Sequence, residues 1–190
     1  MFSAHAVAHI PTEDSAYLSA YEHLDAIVVQ LTAPDTQQMT HSQLEMLIEK
    51  EGRELLRRLL QAHLDERSAS TVNEKVVGAD QKERTHRHLQ TRHLETIFGS
   101  VQITREGYGG PGLESLHPLD GELNLPADSF SHTVRRQIAE ACSKESFDEA
   151  IETIKTHTGA TVAKRQAQEL ATRAAPRLHS ILPTAALCNG

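Results

Sequence analysis

The sequence predicts a mainly α chain with a small β-hairpin, an α+β protein. A helical N-terminal part leads to a central hairpin and then to C-terminal helices of helix-turn-helix type. Three observations predict this. Leu44, Leu47, Ile48, Leu55, Leu56, Leu59, Leu60 and Leu64 recur at helical spacing. Apolar residues alternate on both sides of Gly99-Ser100 in LETIFGSVQIT. Beyond Pro126, capping serines and a turn at Gly159 mark out short amphipathic helices.

In chain order, residues 1–12 read as unstructured. Tyr17, Tyr21, Leu24, Ile27, Val28 and Leu31 then form a helical stripe from about Asp14 to Leu31, ended by Ala33-Pro34-Asp35. Thr40 or Ser42 caps the long leucine helix, which gives way to a polar linker near Ser68–Ser70. Gly52, inside it, costs about 1 kcal/mol relative to Ala, and so suggests a close helix crossing. Val76-Val77-Gly78 reads as a short strand or turn, and Asp80–Gln90 as a charged, His-rich approach to the hairpin.

With Gly99-Ser100 as the two loop residues of a type II′ turn, Phe98 faces Val101 and Thr96 faces Ile103. Leu94, Thr96, Phe98, Val101 and Ile103 then share one face, although Ile97 breaks the alternation. Two strands with one apolar face need cover from the flanking helices. After Tyr108, Gly109-Gly110-Pro111-Gly112 breaks regular structure, and Leu116, Pro118, Leu119, Leu123 and Leu125 tie a long loop to the core.

Ser131 caps a helix with Val134, Ile138 and Ala141-Cys142 inward. Ser146 and Glu149 form a capping box for the next, which buries Phe147, Ala150, Ile151 and Ile154 and stops at Thr158-Gly159. Thr161 begins the last, with Ala163, Ala167, Leu170, Ala171 and Ala174 inward. The expected organisation is therefore an appendage over 1–40, the long helix with hairpin and loop over 41–126, a helical module over 127–176 and an irregular tail over 177–190.

Composition narrows the function. Cys142 and Cys188 supply neither a disulfide framework nor metal-ligand spacing, as in a reducing cytoplasm. No apolar run has the length of a membrane span, and no signal peptide is visible. The net charge of −7 opposes nucleic-acid binding overall, but the charge is segregated. Residues 1–40 carry five carboxylates and no Lys or Arg. Lys82, Arg84, Arg87, Arg92 and Arg105 outnumber Glu83 and Glu95, and Lys164, Arg165, Arg173 and Arg177 outnumber Glu169.

Lys164, Arg165, Gln168 and Thr172 fall opposite the alanine-rich side of the last helix. Arg and Lys hold phosphates or read guanine, and Gln pairs with adenine, so these types suit a major-groove helix. They equally suit a solvated cationic face on an ordinary helical hairpin. On the leucine helix, Glu49, Glu51 and Glu54 balance Arg53, Arg57 and Arg58, which reads as a solvated face. The twelve histidines include His86, His88 and His93, but no cysteine or carboxylate completes a metal set. Asp120 and Glu122, two apart in HPLDGELNLP, read as turn residues rather than a catalytic pair.

The ordered motifs ERTHR, RHLETIFGSVQITREGYG, SLHPLDGELNLP and SFDEA resemble the N-terminal region of bacterial insertion-sequence transposases of the ISKra type, the family numbered four. HSQLEMLIEKEGRELLRRLLQAHLDER and GATVAKRQAQEL extend the resemblance from about Gln43 to Ala175. It implies a DNA-binding front end, here preceding a catalytic domain whose acidic metal-binding triad this stretch lacks. On that basis Lys164, Arg165, Gln168, Thr172, Arg84, Arg87 and Arg92 are expected to bind the transposon's terminal repeats. No residue is expected to be catalytic or to hold a metal, and no cofactor is implied. A homodimer and a cytoplasmic, nucleoid-associated location are expected. The alternative is a stand-alone regulator of transposition or a non-functional relic. Family character is lost after about Ala175, which points to a frameshift near Arg173–Arg177.

Overall fold

The computed structural model describes residues 15–70, 75–160 and 162–179. The N-terminal stretch read as unstructured, the helix start at Thr161, the side chain of Ala174, Cys188 and most of the expected tail lie outside what it describes. The mixed α+β class is as expected. Helices α1 (Leu18–Thr32) and α2 (His41–Ser70) precede strands β1 (Val76–Val77) and β2 (Glu83–Arg84). Strands β3 (His86–Thr96), β4 (Gly99–Gly110) and β5 (Leu113–Leu116) follow, then α3 (Pro118–Glu122), α4 (His132–Cys142), α5 (Phe147–Thr158) and α6 (Lys164–His179). No described helix is long and apolar enough to cross a membrane.

The chain divides into two compact units. One runs up to Arg92 and includes Val101–Leu123; the other joins His93–Ser100 to the chain from Asn124 onward. Helix α1 packs on α2 within the first unit.

In the first unit, Thr40 caps α2: its amide donates to the Gln43 side chain at 2.8 Å, half of a capping box. Further along, Gln61 of α2 bonds the Gln102 backbone twice, each time at 2.8 Å, which seats the helix on β4. The strands form two sheets, β1-β2 and β3-β4-β5. Regular structure does not stop at Tyr108. Strand β4 continues to Gly110 with a bulge, Gly112 turns the chain at φ 68°, and β5 pairs Leu116 with Tyr108. The stretch read as a loop is therefore a third strand and the short helix α3, begun by Pro118 in its first turn.

The hairpin turn also lies two residues earlier than expected. Ile97 and Phe98 occupy it, between Thr96 and Gly99. The Thr96 hydroxyl accepts from the Phe98 amide at 3.2 Å and donates to the Gly99 carbonyl at 2.7 Å, closing the turn locally. Gly99 does supply the positive φ, 118°, but just after the turn rather than within it. Farther down, the Thr91 and Thr104 hydroxyls lie 3.0 Å apart, which fits this register. An even shift preserves the faces. Leu94, Thr96, Val101 and Ile103 are all buried, while Ile97 and Phe98 leave the alternation because they form the turn.

In the second unit the hairpin tip is held by backbone. The Glu95 amide donates to the Ser129 carbonyl at 2.7 Å, and the Ser131 amide to the Glu95 carbonyl at 2.9 Å. Ile97 packs on a core of Phe130, Val134, Ile138, Ile154, Val162 and Leu170. Each such aliphatic side chain contributes about 1.5–3 kcal/mol by burial. Alanines 141, 150 and 167 in that core let α4, α5 and α6 approach closely. Helix α6 runs through Pro176 to His179, into the stretch expected to be irregular.

Candidate nucleic-acid interface

The helix pair α5–α6 is set by local chemistry. Ser146 and Glu149 form the complete capping box at the start of α5. At its end Gly159 takes a left-handed conformation, φ 71°, and its amide caps the Lys155 carbonyl. The buried Thr158 hydroxyl donates to the Ile154 carbonyl at 2.7 Å and accepts from the Ala160 amide at 3.1 Å. Ala160 and Val162 are buried, which anchors the turn between the helices. Helix α6 begins at Lys164, where the Gln166 side chain accepts from the Ala163 amide. With α4 packed on both, the three helices form a trihelical unit in which the third presents its outer face.

That outer face carries every residue expected there. Ala167 and Leu170 point into the core, whereas Lys164, Arg165, Gln168 and Thr172 are exposed. Arg173, eight residues after Arg165, extends the face with its side chain 70% exposed. The cations are restrained rather than bare. The Lys164 ammonium lies 2.6 Å from Asp148, Arg165 donates to Glu169 at 3.2 Å, and an Arg173 nitrogen lies 3.9 Å from Asp128. Asp128 also bonds Arg135 and the Phe130 amide. Burial works to raise its pKa, but these partners outweigh it and hold the carboxyl below its ordinary value.

No family model, curated protein or solved structure matches the chain.

The other expected contacts belong to the first unit and differ among themselves. Arg84 is buried, with its guanidinium on both Asp80 oxygens, the Lys82 carbonyl and the Glu114 carbonyl. It braces β2 against β5 and offers no surface to a phosphate. Arg92 keeps 15% of its side chain exposed and lies 3.9 Å from Asp120, while Arg87 is 47% exposed and 4.0 Å from Glu106. Of the three, Arg87 has the most open side chain.

Asp120 meets a side chain rather than the turn amide expected for it. It pairs with Arg105, whose side chain is largely buried and also reaches Gln90. His86 and His88 stack at 6.2 Å on β3, and His117, just before α3, meets His88 edge-on at 6.1 Å. Among the described residues no three His, Cys, Asp or Glu side chains come together to hold a metal. Burial, then the nearby Arg105, push the His117 pKa down, which favours its neutral imidazole. Gly107 fits between the rings: a Cβ there would sit 2.5 Å from His88 and 2.8 Å from His117.

Proposed function

We propose that the chain is the DNA-binding N-terminal portion of an insertion-sequence transposase, acting in the cytoplasm at the nucleoid, and that α6 enters the major groove at the element's terminal repeats. One observation carries this reading. A short helix, positioned by a capped partner and an anchored turn, presents Lys164, Arg165, Gln168, Thr172 and Arg173 outward while Ala167 and Leu170 are buried. Lysine and arginine position the helix on phosphates, and Gln168 is placed to read a base edge. The motif resemblance over about Gln43–Ala175 supplies the DNA substrate. The reading assigns this region recognition rather than hydrolysis or strand transfer, and gives Asp120 no catalytic part. Arg87 is an auxiliary phosphate contact; Arg84 is removed from the set by its burial. The test is titration of the purified chain against a duplex carrying the inverted repeats that flank its gene, with shuffled duplex as control. Preference for the repeat duplex is expected; equal or absent binding would overturn the reading.

A further inference from the structure

The α1–α2 hairpin has an open apolar side. The two helices run antiparallel and are pinned at three levels. The Tyr17 hydroxyl donates to Glu66 at 3.2 Å, Arg58 to Ser19 at 3.2 Å, and His23 Nε2 lies 3.2 Å from the Glu51 carbonyl. At 3.6 residues per turn, the side of α2 that faces α1 lies about a quarter turn from a stripe of Ile48, Gly52, Leu56 and Leu59. The side of α1 that faces α2 lies about a quarter turn from Tyr21, Leu24 and Val28. Because the helices are antiparallel, both stripes come to the same side of the hairpin. These six large residues are 38% to 53% exposed.

Gly52 sits in the middle of that stripe. Among the described residues nothing lies within 4 Å of where its Cβ would be, so no described neighbour explains the glycine. A helix-interior glycine in an apolar stripe is what a close approach by another helix requires.

We propose that this face is a homodimer interface in which a second copy docks its α2 antiparallel, about a two-fold axis beside Gly52, to form a four-helix bundle. Charge complementarity selects a second copy over another partner. Glu49 and Arg53 lie along the same edge of the stripe, and the axis brings each Glu49 to the partner's Arg53 while setting Ile48 against the partner's Leu56. The same two residues bond within the chain at 2.7 Å, so the dimer closes a four-charge square. Of the α1 acids, Glu22 falls away from the face and Asp25, four residues after Tyr21 and three before Val28, borders it; Glu45, 3.4 Å from His41, continues the α2 stripe at its N-terminal end. The exposed apolar side chains supply on the order of 500 Å² per copy, so pairing reaches about 1,000 Å², where specific interfaces begin. This inference does not rest on DNA binding.

The test is sedimentation equilibrium of the full chain. A species of twice the 21.0 kDa chain mass is expected at micromolar concentration. Leu56→Glu and Gly52→Leu should each give the monomer with helical content retained, since Leu56 is 45% exposed and no described residue lies within 4 Å of a Cβ at Gly52. Glu49→Arg should weaken the dimer about tenfold by placing like charges together, and adding Arg53→Glu should restore it. A monomer throughout overturns the proposal, as does a dimer that survives both Leu56→Glu and Gly52→Leu.

Discussion

The Lys164 ammonium lies 2.6 Å from the Asp148 carboxylate, joining the first turn of α6 to the first turn of α5. Both side chains are more than half exposed, so the pair adds little to stability. It does matter for binding, because a phosphate must compete with Asp148 for the ammonium. Asp148→Asn is therefore expected to tighten DNA binding several-fold at low salt. Glu169→Gln, which releases Arg165, should act in the same direction. Fluorescence anisotropy with a labelled duplex reads both; weaker binding by either variant would exclude α6 as the contact.

The helix pair itself depends on its ends. Ser146→Ala removes the capping box and should cost about 1 kcal/mol. Gly159→Ala forces a side chain into the left-handed region and should cost about 1 kcal/mol as well. Urea midpoints measure both. The two sites lie at opposite ends of α5, so the double variant should lose the sum.

Asp120 and the buried Arg105 form the central ion pair of the first unit. Asp120→Asn should destabilise the chain by about 2 kcal/mol, because it weakens the pairing of a largely buried guanidinium. It should change no DNA chemistry: with magnesium or manganese the chain is expected neither to nick nor to join DNA. Cleavage abolished by Asp120→Asn would show that this carboxylate is catalytic after all.

Acid should loosen α2 in a defined window. The bonds from Arg57, then from Arg58, hold the Glu54 carboxyl down to about 2 against its ordinary 4.5. A pKa lowered on folding stabilises the chain above the unfolded value and is lost as pH falls through the folded one. Glu54's contribution is thus intact above about pH 4.5 and fades toward pH 2. Arg57→Met should flatten the pH dependence of the urea midpoint across that interval, with little change in its slope near neutrality.

Sequence periodicity carried the long helix, the hairpin faces and the outer side of α6, since each depends on a regular repeat within one element. The turn was misplaced because Gly99 needs a positive φ next to the turn as readily as in it, and spacing cannot separate the two. Strand β5 was hidden in Leu113–Leu116, only four residues long and paired through a bulge. The fates of Arg84 and Arg105 were not legible either. Each lies inside because of partners brought by folding, Glu114 for one and Asp120 for the other. Arg173 was within reach, eight residues from Arg165 on the same face.

The most direct test of DNA recognition by α6 is the salt dependence of binding. Anisotropy titrations on the repeat duplex over a salt series should give a log–log slope that becomes shallower by about 2 in the Lys164→Ala, Arg165→Ala double variant, with weaker binding throughout. An unchanged slope and affinity would contradict the account and return α6 to a solvated helix with no DNA contact.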